Sequence, residues 1–268
     1  MTYLCLGLSI CVSIPTYISF MYIRTLRLNT RFIIVRNIVL SVCLRDLMFL
    51  FTDFVTSLAS KPSYLCEVTG ALLQYMSTCA FLWMLCASTD IWLKVHFPYF
   101  NHANNIYFYR SLSYISPMFI VCATIGGFRS GYVDENSCWL SITSQSMWVF
   151  YSTAIVLIVL ISIELAMVAC KTTQALKNSV QPANIASTKD PKQSRNMAKS
   201  FLPLLAVFGI TWILGIFLVI GGTIIFDLLF VIVNGLQGFV LFLSQFLFSK
   251  QVHNAWTESK ERATTRTL

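Results

Sequence analysis

The side chains with the most chemistry to offer in this 268-residue chain are a few ionisable residues inside long apolar stretches. An ionisable group among apolar neighbours is costly to bury and commonly marks a functional contact. The candidates are Arg45, Asp46, Asp53, Asp90, Glu164 and Asp227. Asp53, Asp90 and Asp227 could instead have no functional contact, if they lie near the end of a stretch and their side chains reach water.

Arg45 and Asp46 lie deeper in their stretch and are adjacent in the sequence. Neighbouring residues point about 100° apart on a helix. We therefore expect that the two side chains cannot satisfy each other face to face, and that at least one has a partner on another helix.

Sequence patterns for catalysis and metal binding are missing. The chain has no Gly-x-Ser-x-Gly elbow, no phosphate-binding glycine loop and no His-Glu-x-x-His pair. Its nine cysteines and three histidines do not form a zinc-binding spacing. We predict neither an enzyme nor a bound metal or cofactor.

The elements that must position the ionisable residues are seven apolar runs. Each is long enough to cross a bilayer core of about 30 Å, which takes roughly 20 helical residues. The runs are Tyr3 to Ile23, Phe32 to Leu58, Cys66 to Val95, Tyr107 to Ile125, Met147 to Ala169, Ser200 to Ile220 and Thr223 to Leu247. The sequence therefore predicts an all-α membrane protein with a seven-transmembrane helix bundle.

The distribution of Lys and Arg predicts the orientation of this bundle. Of the 19 basic residues, all but four lie in the first, third and fifth connections, at the span ends beside them or in the tail, and the opposite loops hold only Lys61 and Arg129. Basic residues near span ends stay on the cytoplasmic side. The N-terminus is therefore predicted outside and the C-terminus inside. The predicted cytoplasmic face includes Arg27, Arg31, Lys171, Lys177, Lys199 and Lys250.

Composition supports a membrane protein, with 56% hydrophobic and 11% charged residues. The net charge of +8 is dispersed over juxtamembrane segments, so nucleic acid is not a predicted partner, whereas anionic membrane lipids are. Residues 1–247 are assigned to the bundle and 248–268 to an amphipathic eighth helix and short tail. The alternative for the tail is a disordered basic segment.

The sixth and seventh runs contain several helix-interrupting or amide-bearing residues. These are Pro203, Gly209, Gly215, Asn234, Gly235, Gln237 and Gly238. Such residues predict bending points in two neighbouring helices. The alternative is that the glycines only permit close helix packing.

Two cysteines, Cys66 and Cys138, are predicted on the outer, oxidising side, the first at the start of the third span and the second in the second outer loop. A disulfide bond between them would hold that loop over the mouth of the bundle.

Several short motifs, in order along the chain, are similar to those of one receptor family. They are Arg36-Asn37, Leu40-Ser41, Asp46-Leu47, Ala80-Phe81-Leu82-Trp83-Met84-Leu85, Cys138-Trp139-Leu140-Ser141, Thr211-Trp212-Ile213-Leu214-Gly215, Asn234-Gly235-Leu236-Gln237-Gly238-Phe239 and Phe248-Ser249-Lys250-Gln251-Val252. Together they resemble the seven-span domain of adhesion G-protein-coupled receptors, from the second span to the start of the tail.

The resemblance implies a plasma-membrane receptor that an extracellular or tethered peptide agonist activates, and that opens its inner face to a heterotrimeric G protein. It implies an agonist cavity with Trp139 as its cap and Trp212 as its floor. The cavity walls would be Phe81, Trp83, Trp148 and Phe150. Asn234, Gln237 and Gly238 would form the hinge. The alternative for the tryptophans is the ordinary enrichment of this residue at membrane interfaces.

The chain departs from the family at several positions. The His of the second helix and the Glu of the third, which form an inner polar lock, align with Val35 and Ala87. The chain also has Ala206 where the family commonly has a Pro in the sixth helix, Tyr114 in place of the fourth-helix Trp and Thr153 in place of the fifth-helix Pro. The second hypothesis is therefore a non-signalling membrane scaffold or dimerisation partner that has lost this lock. A transporter ranks third, because the sequence shows no internal repeat.

The resemblance also implies a long ectodomain, an autoproteolytic site and a tethered agonist ahead of the first span. Because the first span follows Met1 almost at once, we expect either a fragment or truncated gene product, or an agonist from another source.

Overall fold

Within the residues that it describes, the structure is a bundle of long helices with one short hairpin. This computed structural model describes residues 2–58, 63–97, 105–128, 131–134, 137–178, 206, 209–211, 213–215, 217, 224–247 and 252–257. The helices are α1 (Thr2–Tyr22), α2 (Arg24–Leu28), α3 (Thr30–Thr56), α4 (Ser63–His96), α5 (Asn105–Gly127), α6 (Ser146–Asn178), α7 (Ile224–Gly235) and α8 (Gln237–Leu241), followed by a π-helical turn (Phe242–Leu247).

Helices form here because a helix satisfies its own backbone hydrogen bonds, which hydrocarbon cannot do. Among the described residues, four helical segments are long and apolar enough to cross a membrane, namely Tyr3–Tyr22, Tyr64–His96, Ser146–Gln174 and Leu228–Gln245. Helix α3 is 27 residues long but carries charged side chains along its length, and α5 has 23 residues.

The first four predicted runs agree closely with α1, α3, α4 and α5, whose ends lie within three residues of the predicted ends. The fifth run starts within one residue of α6, and the helix continues past the end of the run at Ala169 to Asn178. The last nine residues of α6 are mostly polar or basic, and they extend the helix beyond the apolar stretch.

Helix α4 lies at the centre of the described bundle, where it contacts α3, α5 and α6. Its middle is buried on most sides, and Leu73, Cys79, Ala80 and Trp83 have no solvent exposure. The core continues into α3 through Val35, Ile38 and Val42 and into α6 through Phe150 and Ala154. Most other large apolar side chains face outward, as in a bundle surrounded by lipid.

The segment before α6 contains a small hairpin that hydropathy did not predict. Strand β1 (Val133–Asp134) pairs with β2 (Trp139–Leu140) in an antiparallel register that sets Val133 opposite Leu140 and Asp134 opposite Trp139. Cys138, just before β2, has a positive φ of 47°. The hairpin lies against α4.

Helices α7 and α8 pack against α1. A Cβ atom added to Gly235 would overlap Cys5, and one added to Gly238 would overlap Ser9. These two glycines therefore allow α7 and α8 to approach α1 closely. Residues 252–257 form a further helical turn, with Val252 and Ala255 buried and Trp256 partly exposed.

Candidate functional site

The outer loop is fixed to the bundle by a disulfide bond. Cys66, in the first turn of α4, is bonded to Cys138, and these are the two cysteines that the sequence places outside. One turn along α4, Gly70 allows the loop to approach. A Cβ atom there would lie 2.6 Å from Val133 Cγ1 and 3.0 Å from the carbonyl oxygen of Cys138. The loop is thus bonded and packed against one face of α4.

A chain of hydrogen bonds continues this attachment inward. The buried Tyr132 hydroxyl donates to Gln74 Oε1 at 2.6 Å, and Gln74 Nε2 donates to Thr124 Oγ1 of α5 at 3.2 Å. Ser146, at the start of α6, donates to the Tyr132 carbonyl at 2.8 Å. Burial raises the pKa of the Tyr132 phenol well above its ordinary value, so the hydroxyl remains a donor at physiological pH. The loop therefore links α4, α5 and α6.

Trp139 lies where this loop crosses the top of the bundle. Its ring centroid is 6.3 Å from that of Phe49 on α3 and 5.5 Å from that of Phe150 on α6. The contact with Phe150 is edge-to-face at 78°, one of the arrangements that aromatic rings prefer. The side chain of Trp139 therefore connects α3 and α6 to the disulfide-bonded loop, of which Trp139 is a part.

The other aromatic residues predicted for the cavity occupy different surroundings. Trp148 is 44% exposed and contacts Tyr151, with the ring centroids 6.1 Å apart. Phe81 and Trp83 are buried, and Trp83 meets Tyr114 of α5 edge-on at 5.5 Å. The structure thus brings Trp139 and Phe150 together and places Trp83 at the contact between α4 and α5.

A buried polar cluster lies in the middle of the bundle, and it corrects one expectation from the sequence. Arg45 and Asp46 are both fully buried and do form an ion pair, with 2.6 Å between Arg45 Nη2 and Asp46 Oδ1. The arginine side chain is long enough to turn back onto its neighbour, so the helical angle between adjacent residues does not prevent the contact.

The expectation of partners on other helices is confirmed for both residues. Ser9 of α1 donates a 2.6 Å hydrogen bond to Asp46 Oδ2, and Arg45 Nη1 donates to Gln237 Oε1 of α8. Gln237 Nε2 in turn donates to Thr211 Oγ1 at 2.8 Å. The cluster therefore connects α1, α3, α8 and the helical residues 209–211.

Two further polar contacts lie toward the end of the bundle opposite the disulfide-bonded loop. The Glu164 carboxylate of α6 accepts hydrogen bonds from Ser88 and Thr89 of α4, with 2.8 Å from Thr89 Oγ1 to Glu164 Oε1. Asp90 is buried and pairs with Lys94 at 2.5 Å, within α4. Asp53, by contrast, is exposed. The sequence left open whether Asp53 and Asp90 reach water from a span end. Asp90 is a buried ion-pair partner within α4, and Asp53 lies at the surface.

With this geometry in view, comparison with known proteins assigns the family. Residues 1–241 match the family described as 7 transmembrane receptor (Secretin family). The chain belongs to this receptor family. It is accordingly a multi-pass protein of the plasma membrane.

Relatives of this secretin-family chain include adhesion receptors from several animals. It is 26% identical to Adhesion G-protein coupled receptor D1 of Homo sapiens over 259 residues, which cover 95% of this chain and 28% of that protein. It is 27% identical to Cadherin EGF LAG seven-pass G-type receptor 2 of Rattus norvegicus over 255 residues, covering 95% of this chain and 11% of that protein. Adhesion G protein-coupled receptor L4 of Danio rerio is 26% identical over 253 residues, with coverage of 92% and 32%. The chain thus spans about a third or less of these relatives.

Of the positions at which this secretin-family chain differs from the family pattern, two are buried apolar residues, and a third makes a hydrogen bond between helices. Val35 and Ala87 are both buried in the hydrophobic core. Tyr114 donates from its hydroxyl to Asn37 Oδ1 of α3 at 2.7 Å. A tyrosine at this place therefore supplies a polar contact between α5 and α3.

Some predicted site residues lie outside the described residues. These are Pro203, Trp212, Lys199 and Lys250, together with the side chains of Lys177 and Asp227. Among the described basic residues, Arg27 is exposed and Lys171 is half-buried. Arg31 differs from the expected cytoplasmic exposure, since it is buried with its guanidinium 5.5 Å from the Phe32 ring centroid.

Three residues at these sites were not anticipated, namely Ser9, Phe49 and Tyr132. Phe49 is one of 21 phenylalanines in an apolar chain, and Ser9 is one hydroxyl in an apolar run, so neither carries a local signal. Gln74 did carry one, as an amide inside the third run. Its partners are fixed only by the fold.

Proposed function

We propose that this chain is the signalling domain of an adhesion-type G-protein-coupled receptor. It has seven spans with the N-terminus outside, receives a peptide-like or tethered agonist at its outer end, and couples to a heterotrimeric G protein at its inner end. Residues 1–247 form the receptor domain, and residues 248–268 form an amphipathic helix and short tail. Family membership supports the receptor class.

The observation that carries this proposal is the position of Trp139. Its contacts with Phe49 and Phe150 join two helices under the disulfide-bonded loop. A peptide with apolar side chains would displace or extend these ring contacts, because aromatic side chains supply large apolar areas at low entropic cost. Agonist binding at Trp139 would thus alter the separation of α3 and α6.

The inner end suits an intracellular partner of opposite charge. Exposed Arg27 and half-buried Lys171 lie at the ends predicted to face the cytoplasm, where basic residues accumulate. The same residues attract the anionic lipids of the inner leaflet. The two ends of the bundle therefore differ in the way that signal transfer across a membrane requires.

The test is second-messenger output in cells that express the chain, recorded as cyclic AMP and as inositol phosphate. Wild type, Trp139→Ala and Phe49→Ala are compared with and without synthetic amphipathic peptides rich in Phe, Leu and Met. Phe54→Ala is the matched control, because Phe54 lies on the same helix but is 60% exposed.

We expect peptide-dependent output from wild type and Phe54→Ala, and its loss in the other two variants at equal surface level. Background output from wild type under every condition would overturn the proposal. Equal losses in Phe54→Ala and Phe49→Ala would instead refute the assigned role of the ring contacts.

A further inference from the structure

Glu164 is the charged residue of the apolar part of α6, and it lies five residues before the predicted inner end of that span at Ala169. It is neither exposed nor fully buried. A carboxylate at this depth is costly unless it is paired or hydrogen-bonded. Its bonding should therefore reveal the purpose of the residue.

The carboxylate is held by hydroxyl groups of a neighbouring helix. Thr89 Oγ1 of α4 lies 2.8 Å from Glu164 Oε1 and 3.1 Å from Oε2, and Ser88 Oγ donates to Oε2. An ionised carboxylate only accepts hydrogen bonds, and two hydroxyls supply the donors that it needs. These bonds join α4 to α6 in the inner half of the two predicted spans.

Both sides of this contact have another state available. The Ser88 hydroxyl is already 2.9 Å from the Leu85 carbonyl oxygen of its own helix, so it keeps an acceptor when Glu164 leaves. Glu164 is partly accessible and can turn toward the polar inner surface. Separation of the helices therefore leaves the Ser88 hydroxyl and the Glu164 carboxylate with other partners.

The neighbouring charges do not oppose this movement. Asp90, next to Thr89, is already paired with Lys94 in the same helix. Val35 and Ala87, which lie at the same end of the bundle, are apolar and buried. Among the described side chains of α4 and α6, the hydrogen bonds of Glu164 are thus a polar contact that can open and close.

We propose that Glu164, Ser88 and Thr89 form an inner latch, which holds α4 against α6 in the resting state and releases when the inner face opens. The inference rests on the proposed function, because it assigns a means of regulation to the face that receives the G protein.

The test uses the full chain with the variants Glu164→Ala, Glu164→Gln and the double variant Ser88→Ala/Thr89→Val. Ser162→Ala is the matched control, since the Ser162 hydroxyl is exposed and its bond among the described residues stays within α6, to the Ile158 carbonyl at 2.7 Å. Two quantities are measured at equal surface level. One is agonist-free second-messenger output, and the other is amide hydrogen exchange of the inner ends of α4 and α6 in purified protein.

A hydrogen bond between membrane helices shifts an equilibrium by about three-fold, so loss of two should raise basal output and exchange about nine-fold. Glu164→Gln should give a smaller increase, because the amide oxygen still accepts from the hydroxyls. The control should equal wild type. If Glu164→Ala fails to reach the surface, Ser88→Ala/Thr89→Val decides, because it leaves the carboxylate in place.

Unchanged exchange in the latch variants would overturn the latch, whatever the signalling result. Faster exchange with wild-type and variant output both at background would support the latch and refute the proposed G-protein coupling. Peptide-driven output with basal output unaffected by the latch variants would support the coupling and overturn the latch.

Discussion

Replacement of Asp46 by alanine is the most demanding test of the packing in the middle of the bundle. The substitution removes the acceptor of both Arg45 and Ser9. The Arg45 guanidinium would remain fully buried and keep its bond to Gln237, but it would lose its ion pair with Asp46. Ser9→Ala, in contrast, removes one neutral donor and leaves the ion pair intact.

The two costs should differ several-fold. Breaking a buried ion pair from one side typically costs about 3 to 5 kcal/mol, because a charge is left uncompensated. A single hydrogen bond between membrane helices is worth about 0.6 kcal/mol on average. With about 2 to 4 °C per kcal/mol for a chain of this size, Asp46→Ala should lower the unfolding temperature by on the order of 10 °C, and Ser9→Ala by about 2 °C.

The assay is thermal unfolding of detergent-solubilised protein, followed by the fraction that elutes as a monodisperse peak. Asp53→Ala is the control, because Asp53 lies on the same helix and is exposed, and it should shift the midpoint by about 1 °C. The double variant Arg45→Met/Asp46→Leu removes both charges and should unfold at a higher temperature than Asp46→Ala. The reasoning is refuted if Asp46→Ala is no more harmful than Ser9→Ala, or if the double variant is less stable than Asp46→Ala.

Three further predictions concern the outer loop and the glycines. Gly70→Val should displace the loop, because even a Cβ atom would lie 3.0 Å from the Cys138 carbonyl oxygen. Overpacking of this kind costs about 1 to 3 kcal/mol, so the amount of protein at the cell surface should fall accordingly. Cys66→Ser and Cys138→Ser should each cost about 2 to 4 kcal/mol in thermal stability, with no further loss in the double variant, and unequal single losses would argue against the bond. Gly238→Ala should lower the unfolding temperature by several degrees, whereas Gly209→Ala should not, because a Cβ atom at Gly209 meets nothing within 4 Å among the described residues. Equal effects would contradict close packing as the reason for Gly238.

The sequence was sufficient to place the first four long helices, because their apolar runs end at polar or charged residues. For the fifth run, hydropathy gave only the apolar part of α6, which continues past Ala169 to Asn178. Hydropathy detects the part of a helix inside hydrocarbon, whereas backbone hydrogen bonding continues into water wherever the residues favour it. The hairpin at Val133–Asp134 was missed for a related reason, since two-residue strands carry no periodic pattern.

Contacts within the candidate sites were predictable only in part. The disulfide partners could be paired from their outer location, because two cysteines share an oxidising compartment. The choice of Ser9 and Gln237 as partners of the buried charges could not, because it depends on the register between helices far apart in sequence. The Arg45–Asp46 contact was misjudged because the direction of the Cα–Cβ bonds was considered without the reach of the arginine side chain.

The polar contacts differ in strength along the bundle, and this difference bears on where a conformational change would occur. The outer loop is held by the covalent Cys66–Cys138 bond, and the middle by the fully buried Arg45–Asp46 pair, whose disruption costs several kcal/mol. The contact of Glu164 consists of hydroxyl–carboxylate bonds, and the Ser88 hydroxyl has a second acceptor in its own helix. Under the proposed function, a disturbance of the ring contacts of Trp139 would therefore open the bundle where the polar bonds are easiest to replace, at the contact of Glu164. A loop that stays covalently attached, together with a more distant polar contact that can be exchanged, would favour transmission of a signal along the bundle.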